Sequence, residues 1–366
     1  MNYYEKRTVT KREIIIKSIV FVCICTCFLL SLFFADNIEK RINHIYFDFN
    51  FGVMSSTCKI HYIDVGQGDC TFIELPDNKS ILIDTGASFS GEKIKKYLKA
   101  IGKDKNCVID YLILTHTDSD HIGNAKMILD TYKVKNVYMP KVYSNFEVKN
   151  NLCVSDYNIN TSLLWEETCL SIYNEVGLSN RFYSFMGSVI ESDEAGYSLV
   201  FYSPFKDKIT EANNYSPIMV LSYGNSKFMF VGDIESSVEE EFLSYYNSVL
   251  NNFDVDVLKV SHHGSKNSTT NEFLQAVKPE YAVISCGNNN SYAHPNNETI
   301  DRLINNNCKI LRTDTTSSIV FGVNSQNFVY QTSYDFISSY HFYWWYVVVS
   351  AIVISGILIL CFKIKG

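Results

Sequence analysis

Charge is scarce in this 366-residue sequence, and positive charge scarcer still. Asp, Glu, Lys and Arg make up 19%, with 32 Lys+Arg against 39 Asp+Glu and a formal net charge of −7. A basic surface that grips long polyanions without preference is therefore not expected. No repeat period or low-complexity tract interrupts the chain beyond a general richness in Asn. The 11 cysteines follow neither the spacing of a zinc ribbon nor that of a disulfide scaffold. Cys70 and Cys286 lie in apolar strand patterns and are expected as packed thiols. The small-x-small signal for leader cleavage is missing too, because Ala35 follows two Phe.

What is present begins at the ends. Residues 14–35 hold one charge, Lys17, and residues 343–362 hold none. Each run is about 20 residues, the length that crosses a hydrocarbon core of about 30 Å. Trp344, Trp345 and neighbouring tyrosines open the second run, as an aromatic belt does. Both are expected as transmembrane helices. Lys6, Arg7, Lys11, Arg12 and Lys17 flank the first, and Lys363 and Lys365 the second. The positive-inside rule then puts both termini in the cytoplasm and the residues between the two spans outside it. Setting aside those seven basic residues with Glu5 and Glu13 leaves 25 Lys+Arg against 37 Asp+Glu, a net of −12.

The expected organisation is a cytoplasmic N-terminus (1–13), a span (14–35), a connector (36–56), one large domain (57–332), a second connector (333–342), a span (343–362) and a cytoplasmic tail (363–366). In the domain, strands are expected over Lys59–Val65, Cys70–Leu75 and Ser80–Gly86, then a helix (Gly91–Ile101), a strand (Tyr111–Leu114), a helix (121–132) and a short strand (136–139). Residues 140–196, rich in Asn, Ser and Tyr, read as an irregular insertion able to cover a site. Strands resume at 197–202, 218–223 and 227–231, followed by a helix (Glu235–Tyr246) and a strand from Asp254 to Ser261. A helix (Thr269–Val277), a strand (281–286), a last helix (Glu298–Asn306) and closing strands near 309–313, 317–323 and 327–332 complete it. Meandering strands in each half with helices between them fit two packed sheets with helices outside, an α/β sandwich.

The chemistry concentrates in residues 112–124, where an apolar run delivers His116, Asp118, Asp120 and His121 within six positions. Imidazole and carboxylate together suit divalent cations such as Zn²⁺ or Mn²⁺. A polar loop with an Asp N-cap is the bland alternative, and four such side chains this close weigh against it. Asp84, Asp233, His262, His263 and His294 also follow apolar strands, and strand ends brought to one rim would gather them. Taken singly, Asp84 reads as a turn residue, Asp233 as a helix cap and His294 as a loop histidine. A carboxylate such as Asp233 has two oxygens with which to bridge two cations, and Asp84 is placed to orient a ligand imidazole. Water shared between the cations would become a nucleophile near neutral pH.

The ordered set Asp64-Val-Gly-Gln-Gly-Asp69, Ile83-Asp-Thr-Gly86, Thr115-His-Thr-Asp-Ser-Asp-His121, Val231-Gly-Asp233, Val260-Ser-His-His-Gly-Ser265 and Tyr292-Ala-His-Pro295 resembles the metallo-β-lactamase-like domain of the ComEC DNA-uptake protein family. The resemblance covers roughly residues 57–332. It implies an αββα metallo-β-lactamase sandwich, here flanked by two transmembrane helices, with a dinuclear metal site that hydrolyses phosphodiester-type bonds. By motif position, His116 and Asp118 would hold one cation, Asp120, His121 and His263 the other, and Asp233 would bridge them. His262 and His294 would face the scissile phosphate, and Asp120 and Asp84 would support the chemistry. Asp118 stands where the superfamily has a histidine, and Asn213-Asn-Tyr-Ser216 stands where it has an isolated one. The first site is then harder and more anionic, which makes manganese as plausible as zinc. Two expected spans are too few for the polytopic channel region of ComEC proteins, so a DNA translocation channel is not expected of them.

The expectation is a membrane-anchored, metal-dependent phosphodiesterase or nuclease with its catalytic domain outside the cytoplasm and DNA as the first candidate substrate. The net of −12 favours a second reading, a cell-surface phosphodiesterase or phosphorylcholine-esterase-like enzyme acting on wall polymers or small esters. A third is a degenerate fold kept as a binding module.

Overall fold

The computed structural model describes residues 56–152, 161–206, 209–246, 253–324 and 328–332, all within one compact unit, Asn50–Tyr334. The spans expected at 14–35 and 343–362, both expected cytoplasmic segments and the connectors other than Ser56 lie outside the described residues. Among the described residues, no helix is long and apolar enough to cross a membrane.

Two sheets form the body. One contains β1 (Cys58–Tyr62), β2 (Thr71–Glu74), β3 (Ser80–Ile83), β4 (Val108–Ile113), β5 (Lys133–Met139) and β6 (Arg181–Tyr183). The other contains β7 (Val189–Ser192), β8 (Tyr197–Phe201), β9 (Met219–Tyr223), β10 (Ser226–Phe230), β11 (Val257–Lys259), β12 (Tyr281–Ile284) and β13 (Lys309–Arg312). Then β14 (Ile319–Val323) and β15 (Phe328–Thr332) return to the first sheet beside β1, giving the order β15-β14-β1-β2-β3-β4-β5-β6. The second sheet runs β13-β12-β11-β10-β9-β8-β7.

Both sheets change character midway. Strands β1 to β3 and β7 to β10 are antiparallel meanders, whereas β3 to β6 and β10 to β13 pair in parallel. Parallel neighbours need crossovers, which include the helices Gly91–Ala100, Ala125–Thr131, Ser236–Tyr246, Asn271–Val277 and Asn297–Asn305. The period of two along each strand sorts the core. Phe228, Phe230, Val257 and Val283 pack between the sheets against Ile60, Ile73, Ile81 and Phe321. Met229, Leu258, Ala282 and Ile284 face the other way, onto Phe242, Phe273, Leu274 and Leu303 of the helices.

Two expectations need correction. The single helix over 121–132 is two, Ser119–Ile122 and Ala125–Thr131. A Cβ on Gly123 would stand 2.4 Å from the Ser88 amide nitrogen, and Asn124 turns its amide to the carbonyls of Thr85 (2.8 Å) and Ala87 (2.7 Å). The chain is thereby pinned where a continuous helix would pass. The described residues of 140–196 are not an irregular loop, for they hold the helices Asn145–Lys149 and Leu163–Glu175 together with β6 and β7. The longer helix buries Trp165, Cys169 and Ile172 on one side, packs against Ala125–Thr131, and is capped by Ser162. Exposed Leu163 and Leu170 on its other side blur the period in the sequence. Cys70 and Cys286 are buried free thiols, as expected.

Glu74 on β2 ties the sheet to the turn after the first crossover helix, contacting His61 (3.2 Å), Lys103 (3.2 Å) and Lys59 (3.6 Å). Burial disfavours its charge, but His61, Lys59 and Lys103 outweigh this and bring its pKa down to about 2. A carboxyl depressed on folding stabilises the fold above its unfolded pKa and loses that contribution as pH falls. Glu74→Gln should therefore cost about 1–3 kcal/mol at pH 7. Urea denaturation should show the deficit shrinking as pH falls from about 4.5 to about 2.

Candidate metal centre

The parallel strand ends deliver the polar residues to one rim. Asp84 follows β3 in a left-handed conformation (φ 58°), and its amide donates to Ile113 O at 2.8 Å, clasping β4. Thr115 and His116 follow β4, Asp233 follows β10, and His262 and His263 follow β11, again with positive φ (48° and 52°). Asp120 and His121 lie on the short helix Ser119–Ile122. Gly68 sits so close to the Asp120 carbonyl that a Cβ would stand 2.2 Å from it.

Three atoms face one another at equal separations. His121 Nε2, His263 Nε2 and Asp233 Oδ2 are each 3.3 Å from the other two, and Asp120 Oδ2 is 3.3 Å from His263 Nε2. Such a separation is the edge of a tetrahedron whose centre lies about 2.0 Å from each corner, a zinc–nitrogen bond length. The carboxylate of Asp69 joins this group, with one donor atom from each of Asp69, His121, Asp233 and His263 lying within 4.8 Å of the others. Beside them His116 is fully buried, its Nε2 is 3.8 Å from Asp118 Oδ2, and its ring centroid is 4.1 Å from that of His121.

Both central histidines are set from behind. Asp84 Oδ2 accepts from His121 Nδ1 at 2.8 Å while Thr115 donates to Asp84 from its amide (2.8 Å) and its hydroxyl (2.7 Å). Ser285 O accepts from His263 Nδ1 at 2.8 Å. These bonds put the proton on Nδ1 and leave each Nε2 lone pair facing the cluster. His116 Nε2 and Asp233 Oδ1 are buried without a hydrogen-bond partner, so a cation is the partner their chemistry calls for. Ser216 stands near both residues, accepting from the Asp233 amide (3.1 Å), with its hydroxyl 3.2 Å from His116 Nδ1.

The electrostatics agree. Burial opposes charge on His121 and His263, yet Asp233, with Asp84 beside one and Asp69 beside the other, lifts both well above the usual imidazole range. Burial likewise opposes charge on Asp233, and those two histidines nevertheless hold it well below the usual carboxylate range. A field strong enough to keep protons on two imidazoles equally favours a divalent cation in their place. His116 is the exception, pushed down to about 3 by burial and by His121. It is a neutral lone-pair donor.

The fold and this centre define a metal-site α/β sandwich, and comparison agrees. The chain belongs to the metallo-beta-lactamase superfamily, whose family model matches residues 63–288. It is 32% identical over 290 residues to "ComE operon protein 3" of Bacillus subtilis, covering 75% of this chain and 34% of that protein. It is 29% identical over 252 residues to "Recombination protein 2" of Haemophilus influenzae (68% and 26%). It is 27% identical over 282 residues to "Competence protein ComA" of Neisseria gonorrhoeae (77% and 34%). The chain thus matches about a third or less of the length of these relatives.

Of the other candidates from the sequence, His262 and His294 stand beside the cluster. His262 Nε2 is 3.9 Å from Asp233 Oδ2, and the His294 ring lies 5.4 Å from that of His262 and 6.4 Å from that of His263. Sequence reasoning missed Asp69 as a member of the cluster, and with it Lys259 and Ser216. Lys259 left a signal, because a lone lysine in the apolar strand Val257–Lys259 demands a buried carboxylate.

Asp233→Asn should abolish tight binding of a divalent cation, since it removes the charge at the centre of the cluster. Asp84→Asn, which meets the cluster only through His121, should weaken binding about ten- to a hundredfold. Isothermal titration with Zn²⁺ distinguishes the two, and equal losses would contradict the assignment.

Proposed function

We propose that this chain is a membrane-anchored hydrolase of phosphodiester bonds, with DNA as the first candidate substrate, working with two divalent cations, zinc or manganese. The observation that carries the reading is the convergence of His121, His263 and Asp233 at 3.3 Å, beside the unpartnered Nε2 of His116. His116 and Asp118 would hold one cation and Asp120, His121 and His263 the other, with Asp233 shared between them. Bound there, the cations would supply Lewis acidity to a phosphoryl oxygen and acidify water.

The surrounding residues do the rest. Asp120 keeps a quarter of its side chain exposed while touching His263, so it can accept a proton from water at the open side of the rim. His262 and His294 lie beside the same opening and suit an anionic diester. Burial and the neighbouring His262 and His263 push His294 down to about 4. It is therefore neutral at pH 7 and donates a hydrogen bond to a phosphoryl oxygen, which leaves His262 to protonate the leaving oxygen. Asp84, behind His121, positions a ligand and never meets substrate.

Support for DNA comes from the likeness to ComEC proteins of DNA uptake. The net of −12 between the two expected spans favours a rival, a small diester or wall polymer at the cell surface, which needs no basic track. Anchoring by 14–35 and 343–362, with the domain outside the cytoplasm, rests on the sequence alone. Reporter fusions after residue 56 that are active in the cytoplasm would replace it with an intracellular nuclease.

The full chain, purified in detergent, stripped of metal and reloaded with Mn²⁺ or Zn²⁺, should cleave bis-p-nitrophenyl phosphate and DNA. Asp120→Ala should lose at least about a hundredfold in kcat, on the order of a lost general base. DNA cleavage that falls steeply between 50 and 200 mM salt, roughly the range over which phosphate contacts weaken, supports the nuclease. Turnover of the small diester alone supports the surface phosphodiesterase, and silence on both with metal bound sinks the phosphodiester reading.

A further inference from the structure

Lys259 has no part in the mechanism above. It lies two residues after Val257 on β11, on the face that packs between the sheets, and only 2% of it is exposed. Its ammonium is 2.8 Å from Asp69 Oδ2 and donates to Val260 O at 2.9 Å. Asp69 turns its other oxygen, Oδ1, toward His263 Nδ1 at 3.3 Å. This is the nitrogen already bonded to Ser285 O, so Oδ1 is buried and gains no well-aligned hydrogen bond.

Asp69 therefore has two destinations. It can stay behind His263, or it can swing toward the cations as one more donor, because its carboxylate lies within 4.8 Å of the donor atoms of His121, Asp233 and His263. The 2.8 Å ion pair with Lys259 favours the first. We propose that Lys259 is a positioning residue that holds Asp69 out of the metal's coordination shell and against the back of His263, fixing that imidazole with Nε2 toward the cation. Charge counting supports it. Asp69, Asp84, Asp118, Asp120 and Asp233 bring five carboxylates against one ammonium, an excess that two divalent cations balance. Neither Lys259 nor Asp69 touches substrate in this scheme, and the inference rests on the metal centre, not on the phosphodiester reading.

Two variants of the full chain in detergent test it, stripped of metal and titrated with Co²⁺, whose visible absorption reports the number of ligands. Lys259→Met frees Asp69. The neutral pair Asp69→Asn/Lys259→Met removes both charges together and strands neither. The neutral pair should keep the metal-free Tm of the native chain and bind Co²⁺ about ten- to a hundredfold more weakly. Lys259→Met should move the cobalt spectrum toward a higher coordination number, and the neutral pair should not. Native Co²⁺ affinity in the neutral pair overturns the proposal, as does an unchanged cobalt spectrum in Lys259→Met. A neutral pair that fails to fold without metal also overturns it, since the two residues would then be a folding element. Should Lys259→Met alone not fold, the affinity of the neutral pair decides. Because the readout is cation binding, absent turnover with these results intact would count against the phosphodiester reading alone.

Discussion

Everything at the rim answers to one constraint, the cost of burying like charges together. Asp69, Asp84 and Asp233 are each at most 5% exposed, and Asp120 closes on His263. An uncompensated carboxylate in such a place loses several kcal/mol of solvation, so each must be met by a proton donor, an ammonium or a cation. Asp84 takes the Thr115 amide and hydroxyl and the His121 ring. Asp69 takes Lys259. Asp233 keeps one oxygen, Oδ1, with no protein partner, while its other, Oδ2, is the atom on which His121 and His263 converge.

Holding that arrangement strains the backbone. Asp84, His262 and His263 occupy the left-handed region without being glycine, at about 1–3 kcal/mol each. Short ties keep them there, from the Asp84 amide to Ile113 O and from the His262 amide to Gly232 O at 3.1 Å. The strain is local to the ends of β3 and β11, where the chain leaves a sheet and must turn a side chain back across the rim. The interiors of those strands are ordinary, and the two apolar layers beneath them carry the stability of the fold.

Much of this was legible in the sequence because it follows from short-range rules. Alternation in strands such as Phe228–Phe230 separates one face from the other, and clustered His and Asp after apolar runs mark the rim. The pairing of β14 with β1, by contrast, is set by contacts more than two hundred residues apart that no local pattern records. The break at Gly123–Asn124 depends on the neighbouring loop at Thr85–Ser88 occupying the helix's path. The helix Leu163–Glu175 escaped because Leu163 and Leu170 stay exposed and dilute the period of Trp165, Cys169 and Ile172. The role of Asp69 is not visible in its motif, since only the packing of β11 against the β1–β2 turn shows which carboxylate Lys259 meets.

The donors come from both sheets, His116 and His121 after β4 of one, Asp233 and His263 after β10 and β11 of the other. Among the described residues, neither half of the polypeptide supplies this donor set by itself. A bound ion would act as a rivet through two plates, making their separation a single cooperative event whose free energy follows ion concentration. The protein would then be a gauge of its own surroundings, loosening along the seam between the sheets wherever divalent metal is scarce.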